Sequence, residues 1–185
     1  MNVLYLVRTW PLLHGDYIFR EVAWMKLHGH GLAIAATESL PDEYNGRELL
    51  SQYGLESVPE LLLEDDPDPF ERLLAFANRH RIELIDAHDG RGPAEIALEI
   101  FDRAAIPFTV RFQGGDVHSS PSPRIREISA AARALCPISR FLAEILTGAR
   151  IGCRRPPHMP VDVDRDRLRI CPHGMPADVI AREPP

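Results

Sequence analysis

Only three cysteines, Cys136, Cys153 and Cys171, occur in 185 residues. They are odd in number, far apart and in no CxxC arrangement, so neither a disulfide framework nor a zinc site is expected, and a reducing cytoplasm is the expected setting. Long apolar runs are also missing. The longest reach about five or six residues against the roughly 20 that span a bilayer, and the N-terminus lacks the basic start and apolar run of a signal peptide. No membrane insertion is expected, and peripheral contact at the inner face of a membrane is left open. Basic excess is absent as well: 21 Lys and Arg stand against 27 Asp and Glu, a net charge of -6, with no basic stripe. Nucleic acid is therefore not an expected partner. The turn after the first apolar run reads RTWPLLHG, with neither GxGxxG nor GxxxxGK[ST], and the chain has no GxSxG elbow. A dinucleotide cofactor and a serine hydrolase are thereby disfavoured, and no cofactor is expected.

What is present is an ordinary globular composition of 45% hydrophobic and 26% charged residues, with 17 prolines and 12 glycines. The length is too short for two full α/β domains, and a chain of this size buries roughly 70% of its unfolded surface. Residues 1–185 are accordingly read as one domain.

Periodicity supplies the order of elements. Met1 to Val7 is a nearly continuous apolar run, the mark of a strand buried on both faces. Asp16 is placed to cap a helix carrying Ile18, Phe19, Val22, Ala23, Met25 and Leu27, closed by Gly29 or Gly31 before a strand over Leu32 to Ala36. A polar excursion from Glu38 to Pro59 holds a short helix near Arg47 to Tyr53. The alternation continues with a strand over Glu60 to Leu63, a helix entered at Pro67 and Pro69 and ending near His80, and a strand over Leu84 to Ala87. It then runs through a helix over Pro93 to Ala104, a strand over Phe108 to Phe112, a helix over Ser122 to Ala134, a strand over Leu135 to Ile138, a helix over Arg140 to Leu146 and a last strand over Leu168 to Cys171. Arg154 to Pro160 reads as an exposed proline-rich loop. Strands alternating with helices imply a parallel sheet covered on both faces, a Rossmann-like α/β domain.

Such sheets bind ligands at the carboxyl ends of their strands. His88, Asp89 and Gly90 follow one strand, where glycine lets the backbone approach a ligand; the plainer reading is a packed histidine in a turn. Gln113, Gly114, Gly115 and Asp116 follow another. Two successive glycines there cost entropy unless the backbone needs unusual dihedrals or a close partner, and Asp116 either accepts from a sugar hydroxyl or caps the turn. Ser139 reads first as a helix N-cap. His173 and Gly174 form a turn after the last strand. A metal site from His88, Asp89, Asp116 and His118 has no supporting ligand spacing.

Four segments in order carry a resemblance. MNVLYLVRTWPLLHGDYIFREVAWMKLHGHGLAIAA resembles the opening strand, acceptor loop, first helix and second strand of the N-terminal domain of GT-B glycosyltransferases of the family four type. ELIDAHDGRGPAEIALEIFDRAAIPFTVRFQGGDVH is similar to that family's strand with a His-Ala-His step, its following helix, and an Ile-Pro-Phe strand leading to a His-Gly-x-Asp turn. ALCPISRFLAEIL and DRDRLRICPHGMPADVI resemble its later strands and the glycine turn that closes the domain. The resemblance implies the acceptor-binding half of an enzyme that moves a sugar, with retention, from a nucleotide-sugar donor to a carbohydrate or lipid-linked acceptor. It would place His14, Gly15, Asp16 and Tyr17 in the acceptor loop, His88 and Asp89 on the cleft wall, Gln113 and Asp116 at the catalytic turn, and Gly174 on the closing strand. Gly90, Gly114, Gly115, Ser139 and His173 complete the candidate contacts.

Two departures stand out. Gln113 occupies the place of a histidine and cannot titrate near neutral pH. The family's second, donor-binding domain is not among these residues, so the chain is expected to need a donor domain, from another chain or from residues beyond these, for turnover. Two readings from other classes are a non-catalytic carbohydrate- or nucleotide-binding module and a small-molecule hydrolase using His88, Asp89 and Asp116. An apolar face left open by a missing domain would favour self-association.

Overall fold

A computed structural model of the chain describes residues 1–12, 16–118, 122–147, 163 and 165–172. Six strands form one sheet: β1 (Asn2–Thr9), β2 (Gly31–Glu38), β3 (Glu60–Leu62), β4 (Leu84–His88), β5 (Phe108–Phe112) and β6 (Ala134–Pro137). Every neighbouring pair is parallel, in the order β3-β2-β1-β4-β5-β6. The central strand is the one whose apolar run is unbroken, and Val3 to Val7 are each at most 2% exposed.

The helices are α1 (Asp16–Leu27), α2 (Arg47–Gln52), α3 (Pro69–Arg79), α4 (Gly92–Ala104), α5 (Gly115–His118), α6 (Ile125–Ala131) and α7 (Arg140–Leu146). From β1 the chain steps outward to β2 and β3, then returns to β4 on the other side of β1 and steps outward again. Right-handed crossovers running in opposite directions put their helices on opposite faces. Accordingly, Ile18, Phe19 and Val22 of α1 and Leu50 of α2 pack with Val3, Tyr5, Val7 and Ile34. Residues of α3, α4, α6 and α7 pack with Leu4, Leu6, Ile85, Val110 and Leu135 on the other face. The expected Rossmann-like α/β domain is the observed one.

Several local expectations need correction. Asp16 is the first residue of α1, not its cap, and pairs with Arg20 one turn on at 2.9 Å. Gly29, with φ at 78°, ends the helix, and Gly31 opens β2. The helix expected over Ser122 to Ala134 is shorter, because Ser122 Oγ accepts from Arg124 N–H in a turn before Ile125 and Ala134 already belongs to β6. The last strand is reduced to a bridge between Leu135 and Leu168, preceded by a 3-10 turn over Arg165–Arg167. The N–H groups of Arg169 and Cys171 still donate to the Leu135 and Pro137 carbonyls, so this segment lies beside β6. The short helix α5 has no counterpart in the expected order. Arg154 to Pro160 lies outside the described residues.

Candidate functional site

The strand order reverses between β1 and β4, and there the two crossovers part and leave a crevice at the carboxyl edge. A cleft of about 260 Å³ opens at that point, lined by Val7, Arg8 and Thr9 at the end of β1 and Leu12 beyond it, Tyr17 and Ile18 of α1, His88 at the end of β4 and Asp89 beyond it, and Gln113 after β5. Four of the sequence-derived candidates, Tyr17, His88, Asp89 and Gln113, thus come together from three connections. The Tyr17 hydroxyl and the Gln113 amide share a hydrogen bond across the cleft, and burial, opposed by that bond, raises the Tyr17 phenol above its ordinary value.

Asp89 adopts φ of 142°, a region that side-chain-bearing residues seldom enter. Two bonds hold it there: Arg91 N–H donates to Oδ1 at 2.9 Å, and the Arg8 guanidinium pairs with Oδ2 at 2.6 Å. A strained residue fixed at a cleft is a frequent mark of a working site.

Asp116 is a clamp beneath this edge. Its Oδ2 accepts from Gly90 N–H at 2.7 Å, and its Oδ1 accepts from Gln113 and Gly114 N–H at 3.0 and 2.8 Å. Burial raises the carboxyl despite these three donors. Asp116 therefore ties the turn after β4 to the turn after β5, and its bonds are to the backbone. The glycines serve this arrangement. A Cβ on Gly90 would stand 2.5 Å from the Phe112 ring and 3.1 Å from Asp116 Oδ2, and Gly114 takes φ of 126°. Gly115 is the exposed first residue of α5. Ser139 caps α7, its Oγ accepting from Leu142 N–H at 3.2 Å. His14, Gly15, His173 and Gly174 lie outside the described residues, as does the side chain of His118.

Beneath the cleft, on the sheet face that carries α1, lies a charged cluster that sequence reasoning did not single out. Asp86 Oδ1 accepts from Thr109 Oγ1 at 2.7 Å, and Oδ2 accepts from Arg111 Nε at 3.0 Å and from His88 Nε2 at 3.2 Å. Arg111 also bonds Glu21 of α1, whose carboxylate receives the Tyr5 hydroxyl at 3.4 Å. Burial alone would raise the Asp86 carboxyl, but the His88 and Arg111 groups and the Thr109 bond hold it well below the usual carboxylate range. Burial pushes Glu21 up, only partly offset by Arg111. Burial, with Glu21 and Asp86 nearby, likewise pushes the Tyr5 phenol up. Glu21, Asp86 and His88 bring donor atoms within 4.8 Å of one another, the one such group among the described residues. Arg111 bonds both carboxylates and so supplies the cation this pair holds. A sequence signal existed: Asp86, Thr109 and Arg111 are polar residues of one parity inside two otherwise apolar strands.

A second cavity of about 380 Å³ lies beyond β2 and β3, lined by Trp10, Leu40, Arg47, Glu60 and Leu62 among others. It is larger, yet it sits away from the switch point, and its main polar groups are paired: Trp10 Nε1 donates to Glu60 Oε1 at 2.9 Å, and Arg47 pairs with Glu60 Oε2 at 3.5 Å.

No protein-family model matches the chain, and no curated protein matches it. Solved structures do. Anabaena Alr3699/HepE in complex with UDP is similar at a TM-score of 0.62 and 14% identity, over 100% of this chain and 47% of that one. The fold is that of a GT-B-like domain. UDP-GlcNAc 2-epimerase from Neisseria meningitidis bound to UDP-GlcNAc is similar to the GT-B-like domain at 0.59 and 13% identity, over 92% and 46% of the two chains. The lipopolysaccharide outer core galactosyltransferase WaaB in its apo form follows at 0.60 and 9%, over 92% and 45%. The GT-B-like domain thus spans about half the length of these structures. Identities this low carry the fold alone. No helix among the described residues is long and apolar enough to cross a membrane.

Proposed function

We propose that this chain is the acceptor-side domain of a retaining glycosyltransferase of the family four type, acting with a donor-side domain that these residues do not include. The observation that carries the reading is the cleft at the switch point, where Tyr17, His88, Asp89 and Gln113 converge. It is hydroxyl- and amide-rich, contains no phosphate loop and has its one lining guanidinium, that of Arg8, paired with Asp89. Such a site suits a sugar or another polyol better than a diphosphate. The donor's diphosphate is accordingly assigned to the other domain. Nucleotide-sugar chemistry as the broader class is supported by the fold's likeness to proteins solved with UDP and UDP-GlcNAc.

In this reading Gln113 fixes a sugar hydroxyl through its amide, oriented by Tyr17, and Asp116 shapes the turn instead of moving a proton. The second reading, a binding module without catalysis, is favoured by Gln113 itself, which offers no titrating group where the resemblance has a histidine. The test is an assay of the native protein purified from its source, supplied with UDP- and GDP-linked hexoses, with and without a set of glycoside and polyprenyl-phosphate acceptors. Nucleotide release that depends on an acceptor is expected. Epimerised donor without acceptor would replace transfer by epimerisation, and binding without turnover would leave the module reading.

A further inference from the structure

His88 is 2% exposed and lines the cleft. Its Nε2 faces the Asp86 carboxylate, two residues back along β4 and therefore away from the carboxyl edge. The two ring nitrogens flank one carbon and their bonding directions diverge, so with Nε2 turned down the strand Nδ1 is the nitrogen turned toward the carboxyl edge. Nδ1 is buried and has no hydrogen-bond partner among the described residues. A buried polar atom without a partner is costly, and a ligand group arriving there would recover that cost. We infer that His88 Nδ1 is the cleft's acceptor for a ligand hydroxyl, and that Asp86 is the positioning residue that keeps the proton on Nε2.

The surroundings specify the ligand's chemistry. Asp86 can only accept, so it takes the Nε2–H, and in the neutral imidazole the lone pair is then on Nδ1. The groups facing His88 are Tyr5 from β1, at 5.3 Å between ring centroids, Glu21 from α1, Asp86 on its own strand, and Arg111 from β5 through Asp86. At the rim, Arg8 and Asp89 pair with each other. Arg111 is the cation of the buried set, with Asp86 and Glu21 both bonded to it. An acceptor nitrogen beside two carboxylates repels a phosphate and receives a neutral O–H donor. The ligand portion at His88 is thus a sugar hydroxyl. This rests on the glycosyltransferase reading and assigns an atom within it.

The test is two-bond ¹H–¹⁵N correlation of the 185-residue chain with imidazole-labelled histidine, assigned through His88→Asn. The neutral imidazole is expected to carry its proton on Nε2 with Nδ1 unprotonated, and Asp86→Asn to mix the tautomers. Methyl glycosides of glucose, galactose, mannose and N-acetylglucosamine are then titrated. At least one is expected to move the Nδ1 resonance and to lose about tenfold in affinity as the imidazole protonates, the worth of roughly one hydrogen bond. His88→Asn sets an amide oxygen near the place of Nδ1, so it should keep binding but lose the pH dependence, and His88→Phe should lose binding. If His88→Phe does not fold, the pH titration and His88→Asn still decide. A neutral imidazole that carries its proton on Nδ1, or glycoside binding that leaves His88 unmoved and independent of pH, overturns the inference and leaves the functional reading standing. Binding of none of the glycosides overturns both.

Discussion

One face of one sheet holds two kinds of interior. Across β2 and β1, under α1 and α2, the residues are Val3, Val7, Ile34 and Ala36, packed on Phe19 and Leu50. Across β4 and β5, the same face presents Asp86, His88, Thr109 and Arg111, joined to Glu21 and Tyr5. The apolar half is held by non-directional burial, so neighbours of similar volume can replace one another at small cost. The charged half is held by stoichiometry. Each ion has been taken largely out of water, and it persists because Arg111 meets two carboxylates while Thr109 and His88 fill the remaining sites on Asp86. Such a cluster is a poor source of stability and a good source of fixed geometry. It lies directly under the cleft, where fixed geometry is useful.

Arg111→Met should have the largest effect. It leaves two carboxylates without their cation and should cost about 3–5 kcal/mol in denaturant unfolding, as breaking a buried pair does. Replacing the three ions together, Glu21→Leu with Asp86→Leu and Arg111→Met, should recover part of that loss, since no unpaired charge remains although the Thr109 and Tyr5 hydroxyls lose their acceptors. If the triple variant is no more stable than Arg111→Met, the view that stoichiometry holds this half is wrong.

Gly90→Ala probes the join between the clamp and the cleft. Its methyl group would press on the Phe112 ring and the Asp116 carboxylate. Overpacking of this kind should cost about 1–3 kcal/mol, read as a lowered urea midpoint with an unchanged slope.

Acid separates the two halves, since the buried side chains of the apolar half, Val3, Val7, Ile34 and Ala36 with Phe19 and Leu50, do not titrate. The Asp86 carboxyl is held low, so its contribution is present above the ordinary carboxylate value of about 4 and lost as pH falls through its depressed folded value. Glu21 and Asp116, raised by burial, act with the opposite sign: they bind protons more tightly when folded, and their ionisation costs stability as pH rises. Asp86→Asn should therefore be less stable than wild type at neutral pH and lose less on going to strong acid, in urea midpoints measured across that range. Parallel curves for the two proteins would show that Asp86 is not the group responsible.

The smallest expected effect is remote from both halves. Ser139→Ala removes only the α7 cap and should cost about 1 kcal/mol, visible as a small drop in Tm with the cleft unaltered.

The sequence made much of this legible for identifiable reasons. Phe108–Phe112 and Arg140–Leu146 match their expected bounds because strong apolar periodicity is flanked by clear start signals. The cap at Ser139 is as expected, since a serine before a helix has one habitual bond. The double glycine after β5 marked a real conformational demand, met at Gly114. Helix α5 was not legible, because its one turn carries no period. The last strand is reduced to a bridge because an alternating RLRI segment at a sheet edge needs only part of a ladder. Asp116 was readable as polar and near the edge, but whether its oxygens face a sugar or three N–H groups depends on Gly90, 26 residues away.

What the sequence determined by itself was the alternation of strands and helices, hence the parallel sheet, its two covered faces and the edge at which ligands bind. These follow from period and connection handedness, which are local. Tertiary structure alone decided that β4 returns beside β1, so that Arg8, Tyr17, His88 and Gln113 share one cleft, and that Asp86, Arg111 and Glu21 meet beneath it. Those facts depend on strand register and on the packing of α1, where a shift of one residue would turn Asp86 and Arg111 to the other face, among Ile85 and Val110.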